Sequence, residues 1–197
     1  DGAINQYEEI LNTKRHLLSI PFIYSNRRSY KANKGIAYYN KGVALKLKSI
    51  YNDYNYVERR RILLKALEAY KEACKILKRD YDARYNLALA YHLLSDYREA
   101  GLSYCKAIEL SPMKYEAHYN LAVLLRHLHY YKESMEELEK ASTLIMDSPN
   151  GRTERQRYIF DVMNDVTRSL AANSNSNLIE KLGVEKPDKA AKVTYVH

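Results

Sequence analysis

The sequence predicts an all-α fold: a solenoid of stacked helix pairs closed at its C-terminal end by one further helix. Three observations predict it. Residues 81–114 and 115–148 align without gaps at a period of 34, with 12 identical positions, among them Tyr85-Asn86/Tyr119-Asn120 and Leu87-Ala88/Leu121-Ala122. A fixed repeat of this length marks units that cannot bury their apolar faces alone and must stack to do so. Apolar residues recur at helical spacing and strand-like alternation is scarce. Only six Gly and four Pro occur in 197 residues, which favours helices over turns. The length suits one domain with a sizeable core.

Residues 3–19 read as an amphipathic helix with Ile4, Tyr7, Leu11 and Leu18 on one stripe. Ala3, Tyr7, Ile10 and Leu11 also fit the second-helix spacing of the later repeats. Residues 1–34 therefore read as an N-terminal helix and connector, the remnant of a degenerate unit, with the connector at 20–32 around Pro21, Arg27 and Arg28. Repeat one is 35–80, with helices at about 33–49 and 58–78. Gly42 and Ala66 align with Ala88 and Ala100, but lie 24 residues apart rather than 12. A 12-residue insertion between the helices, around Lys48–Arg59, accounts for the difference and carries Tyr51, Tyr54 and Tyr56.

Repeat two is 81–114, with helices at 82–94 and 97–110. Asp96 with Glu99 reads as the cap of its second helix. Ser111-Pro112 reads as the N-cap and first residue of the helix that follows. Repeat three is 115–148, with helices at 115–128 and 131–145. Asn150-Gly151 marks a turn, and Thr153 with Gln156 a capping box. The block 149–171 reads as a capping helix whose stripe is Ile159, Phe160, Met163, Val166 and Leu170. The Asn/Ser run at 171–177 reads as a linker, and 172–197 as a flexible C-terminal tail in which Leu178, Ile179 and Leu182 could add a turn or two.

The repeat resembles the tetratricopeptide repeat. Leu87-Ala88, Tyr91, Ala100, Tyr104, Ala107 and Pro112 hold that family's places in order. Repeat three has Leu121-Ala122, Leu125, Ser134, Leu138 and Ala141, with Met146 where Pro is usual. Repeat one has Gly42, Leu45, Ala66, Tyr70 and Ala73, with Lys41 in place of Leu and no Pro. The resemblance covers about 35–148 plus the cap. It implies a right-handed superhelix of antiparallel helix pairs, with first helices lining a concave groove. It also implies a non-catalytic scaffold or adaptor that binds a peptide or helix of a protein partner there.

Read against the family, the groove-facing places are Ile36, Tyr39, Val43, Lys46 and Leu47, then Asp82, Tyr85, Leu89, His92 and Leu93, then Glu116, Tyr119, Val123, Arg126 and His127. Tyr39, Tyr85 and Tyr119 form one ladder and Asn40, Asn86 and Asn120 another. Each ladder has two readings: anchors for a bound segment, or packing between repeats. Lys46, His92 and Arg126 favour a partner of mildly acidic character, opposed by Asp82 and Glu116. One sub-family grips a C-terminal carboxylate with Lys, Asn and Arg. Here Ile36 and Glu116 stand at its Lys places and Asn120 at its Arg place, so that clamp is not expected.

The net charge is +8, and all of it lies in residues 1–65, with 13 Lys/Arg against five Asp/Glu. This bias keeps open a nucleic-acid-binding or membrane-peripheral module. Arg59, Arg60 and Arg61 fan around a helix rather than forming one patch, so nucleic acid is the weaker option. Cys74 and Cys105 lie far apart in predicted helices and read as small buried thiols, which leans toward a reducing, cytoplasmic setting. The sequence begins at Asp1, which leaves open a removed leader and an extracytoplasmic adaptor of a transport or secretion assembly. No membrane span is expected. His127 and His129 project to opposite sides of a helix and cannot share a metal. No phosphate loop, metalloprotease helix or nucleophile elbow is present, so no cofactor, metal or catalytic residue is expected. Nothing in the sequence fixes an oligomeric state.

Overall fold

A computed structural model describes residues 2–12, 27–146 and 154–181. Among them the chain forms α1 (Gly2–Asn12), α2 (Arg27–Tyr51), α3 (Tyr56–Ile76), α4 (Tyr81–Leu93), α5 (Tyr97–Leu110), α6 (Tyr115–His127), α7 (Tyr131–Met146) and α8 (Glu154–Lys181). The described residues contain no strand. Short turns fold α2–α3, α4–α5 and α6–α7 into hairpins, and α3 packs on α4 as α5 packs on α6. The result is the expected helical solenoid. One end is covered by α1 lying on α2, the other by α8 lying on α7 and touching α6. No described helix is long and apolar enough to cross a membrane.

Small residues make the stacking possible. Ala66, Ala73, Ala83, Ala88, Ala100, Ala107, Ala117, Ala122 and Ala141 are fully buried, at places where only a methyl group lets helices approach closely. Tyr70, Tyr104 and Leu138 occupy one register position in successive second helices, each with 0% exposure. In repeat one even a methyl is too large: a Cβ on Gly42 would stand 2.7 Å from the Tyr70 ring. Cys74 is buried, Cys105 half-buried, and both are free thiols. Burial pushes the Cys74 thiol up to about 11.

The first helices of repeats two and three end alike. Asp96 N–H bonds Tyr91 O and Ser95 N–H bonds His92 O; Tyr130 N–H bonds Leu125 O and His129 N–H bonds Arg126 O. This double closure places Ser95 and His129 in left-handed conformation, at φ 63° and 65°, where glycine is the usual choice.

Several expected boundaries move. The inserted residues of repeat one mostly lengthen the helices: α2 runs nine residues past Gly42, where α4 runs five past Ala88, and α3 starts ten before Ala66, where α5 starts three before Ala100. Residues 27–32 belong to α2 rather than to a connector. Ser111-Pro112 opens no helix. Ser111 ends α5, its carbonyl accepts from Lys114 N–H, and α6 begins at Tyr115. Asp96 stands at the start of α5 but makes no capping bond. The side-chain caps are Asp80, which accepts from Ala83 N–H, and Asn55, which accepts from Glu58 N–H. Helix α8 continues to Lys181, ten residues past the expected end. Asn and Ser are weak helix formers, yet no Gly or Pro interrupts 154–181. Its buried stripe includes Ile159 and Val166, with Val162, Met163 and Leu170 partly buried, while Phe160 is 45% exposed. The end of the first helix at 13–19, the connector at 20–26, the Asn150-Gly151 turn, Thr153 and the tail from 182 lie outside the described residues.

Candidate functional site

The first helices form the inner wall. Helix α2 touches α4, and α6 touches α8, across unit boundaries. Solenoid curvature brings the inner helices together and splays the outer ones. All the groove places lie on α2, α4 and α6.

On this wall the Tyr and Asn ladders interlock. The Asn120 amide donates to Tyr85 Oη at 2.8 Å and to Glu116 O at 2.9 Å. The Asn86 amide donates to Tyr39 Oη at 3.4 Å and to Asp82 O at 2.9 Å. Each Asn thus ties its own helix turn to the tyrosine of the preceding repeat. The rings are held from behind as well. Tyr39 meets Tyr70, and Tyr85 meets Tyr104, both with centroids 6.2 Å apart at 55°. Burial pushes the Tyr85 hydroxyl up to about 12. Tyr39, Asn40, Tyr85, Tyr119 and Asn120 are half-buried and Asn86 is buried.

The three basic places are also engaged. Lys46 Nζ donates to Asn86 Oδ1 at 2.7 Å, and burial lowers its pKa. His92 lies edge-on to Tyr97 and Tyr104, with Nδ1 3.3 Å from Tyr104 Oη. Burial lowers its pKa, and His127 adds to the effect, so His92 is neutral at pH 7. Arg126 pairs with Asp165 of α8. These contacts remove the charge argument for an acidic ligand.

Several apolar places remain open on the wall. Ile36, Leu47 and Leu93 are 48%, 42% and 49% exposed. Val43, Leu89 and Val123 are half-buried at one repeat position. Asp82 is exposed at the other edge, with Lys114 Nζ 3.6 Å away. Where α8 meets the wall, a cleft of about 240 Å³ is lined by Tyr85, Tyr115, Tyr119 and Tyr158 with Glu116 and Arg155. The contributions of Arg155, Tyr158 and Asp165 were missed from sequence. Their spacing along α8, 155, 158 and 165, is the signal that they share a side facing the groove.

Comparisons with known proteins agree with this architecture. The tetratricopeptide repeat family model matches residues 81–112 and 115–145. Repeat one, with its insertion, is not matched. No protein of curated function matches the sequence. Among solved structures, the TPR2B domain of yeast Sti1, in a complex with pHsp70, is similar with a TM-score of 0.57 and 24% identity, over 70% of this chain and 97% of that one. The CopN-Scc3 complex is similar at 0.57 and 14%, over 82% and 99%. The Sgt2 TPR domain from Aspergillus fumigatus is similar at 0.53 and 19%, over 79% and 91%. Residues 81–112 and 115–145 thus match the tetratricopeptide repeat, and the helical array has the fold of such repeat domains.

Proposed function

We propose that this protein is a non-catalytic scaffold whose groove holds an apolar face of a partner's segment, an amphipathic helix or extended peptide. One observation carries the reading. Lys46, Asn86, His92, Asn120 and Arg126 are engaged within the array, while Ile36, Leu47 and Leu93 are exposed, with Val43, Leu89 and Val123 half-buried beside them, as apolar rungs across three helices. Apolar rungs on a rigid wall recognise side chains at helical or alternate spacing. Of the groove places, Val43, Leu89 and Val123 then contact the ligand, while Asn86 and the tyrosine rings hold their platform.

The solved neighbours support a peptide-binding use of this fold. The first TPR of Spaghetti is bound to an HSP90 peptide, SRMEEVD (TM-score 0.51, 16% identity). The chemistry of that ligand does not carry over, because Ile36, Glu116 and Asn120 replace the cations of a carboxylate clamp. The test is selection from a displayed peptide library on the full chain. Enriched sequences should share apolar residues at helical or alternate spacing. Enrichment of acidic C-termini, or of nothing, would contradict the proposal.

A further inference from the structure

The α2–α3 hairpin reaches beyond its neighbours. The longer helices carry its tip roughly 6–10 Å past the frame of repeat two, at 1.5 Å per residue. Four large side chains stand open on that tip: Ile50 at 50%, Tyr51 at 81%, Tyr56 at 75% and Val57 at 74% exposure. The equivalent turns of repeats two and three present Ser95-Asp96 and His129-Tyr130. This exposure is fixed by the tip's own bonds. Asn55 caps α3 at 2.9 Å, Asn52 Nδ2 donates to Lys48 O at 2.8 Å, and Tyr54 N–H donates to Asn52 O at 2.9 Å. The Tyr54 ring packs on the core, and the Arg59 guanidinium donates to Tyr54 O.

Cations surround the apolar group. Apart from Lys46, which is turned to Asn86, residues 48–65 hold Lys48, Arg59, Arg60, Arg61 and Lys65 against Asp53 and Glu58. Glu58 accepts both Arg61 bonds, at 3.0 and 2.8 Å. The Arg61 hydrogen bond holds the Glu58 carboxyl below its usual range, and Lys65 and Lys48 add to the effect. One carboxylate therefore faces three cations. Arg60 and Lys65 form no ion pair among the described residues.

We infer that the projecting tip of α2–α3 docks on an anionic lipid surface, with Ile50 and Val57 entering the interface, Tyr51 and Tyr56 at headgroup level, and the surrounding Lys and Arg on anionic headgroups. Aliphatic side chains bury at the acyl boundary, tyrosines favour the interface, and long cationic side chains reach back to the headgroups. The shape argues against single-stranded nucleic acid. Such sites set aromatic faces along a groove that tracks the backbone, whereas this is a convex knob in which Ile50 and Val57 offer no stacking face. Docking through the tip is independent of the groove reading.

The test is co-sedimentation of the full chain with neutral phosphatidylcholine vesicles and with vesicles containing about one-third phosphatidylserine. Binding should require the anionic lipid and weaken with salt. Arg60→Ala should weaken it roughly fivefold. Ile50→Ser with Val57→Ser should weaken it about tenfold or more. Leu102→Ser, an exposed apolar residue elsewhere (55%), should leave it unchanged. Thermal melts of all variants should match the parent, since every substituted side chain is exposed. Absence of vesicle binding would overturn the inference, as would equal binding to both vesicles. So would binding to a single-stranded oligonucleotide, without vesicle binding, that is lost in Tyr51→Ala with Tyr56→Ala.

Discussion

In repeat two, α4 stops five residues past Ala88, and the chain turns through Ser95 at φ 63° with Asp96 N–H closing on Tyr91 O. In repeat one, α2 continues nine residues past Gly42 and the turn is rebuilt from Asn52 to Asn55. Yet the two interiors superpose in chemistry: Ala66 and Ala100 are both fully buried, and Tyr39 meets Tyr70 as Tyr85 meets Tyr104. The stacking contacts are set by a few positions near the middle of each helix. The rim is not so constrained, so added residues extend the helices outward without disturbing the contacts between units.

The contrast extends to the hydroxyls and the ends. Tyr104 Oη lies 3.3 Å from His92 Nδ1. Its counterpart Tyr70 Oη is buried without a partner among the described residues, because Lys46 stands where His92 does and turns to Asn86 instead. Repeat three has Leu138 at this place, and closes itself differently. Buried His118 lies 2.6 Å from Glu137 and 3.0 Å from Pro112 O.

The largest expected effect comes from uncovering one end. Removing the chain after Met146 exposes the surface now covered by Ile159 and Val166, which are 2% and 0% exposed. The truncated chain should self-associate in light scattering. A monodisperse, equally stable product would show that α8 is no cap.

A pair of glycine substitutions compares the interiors directly. Gly42→Ala drives a methyl into the buried Tyr70 ring, at 2.7 Å. It should destabilise by about 1–2 kcal/mol after the helix-propensity gain. Gly101→Ala meets only Leu124 Cδ2, at 3.5 Å, and should stabilise by up to about 1 kcal/mol. Equal shifts in thermal melts would contradict the assigned contacts.

The repeat-three pair has a pH signature that repeat two lacks, since Ser103 and Arg84 stand at its places. Burial would raise the Glu137 carboxyl, but hydrogen bonds from His118 and Lys140 outweigh it and hold the group below its ordinary 4.5. A depressed carboxyl contributes stability that is fully present above its unfolded value and lost as pH falls through its folded one. Glu137→Gln should therefore cost about 1–2 kcal/mol at neutral pH and flatten the loss of stability in acid below about pH 4.5. An acid limb identical in both proteins would remove Glu137 from the account. The smallest contrast is at the hydroxyls. Tyr104→Phe should cost about 1 kcal/mol, while Tyr70→Phe should be neutral or slightly stabilising.

Much of this fold was legible in the repeat itself. Ala88, Ala100, Ala107 and Ala122 recur at fixed spacing because backbones must approach there, and each is fully buried. The ends of helices were less legible. Asp96 looks like a cap in sequence, but its backbone amide closes the preceding turn and its carboxylate makes no capping bond. At the groove, the Tyr-Asn pairs stood out by repetition, but sequence could not show that each Asn reaches the tyrosine one repeat earlier. Nor could it show that Arg126 is paired by a helix some 40 residues on, an interaction visible only once α8 is in place.

The central claim is that the open apolar rungs, and not the Tyr-Asn lattice, contact the bound segment. Calorimetry with the best peptide from the display selection, run beside a thermal melt for each variant, tests it most directly. Leu93→Ser should weaken binding by about 1–3 kcal/mol with an unchanged melt, because Leu93 is 49% exposed. Asn120→Ala should lower the melt and weaken binding only in step with it. Unchanged affinity in Leu93→Ser, or loss of affinity in Asn120→Ala with an unchanged melt, would contradict the claim.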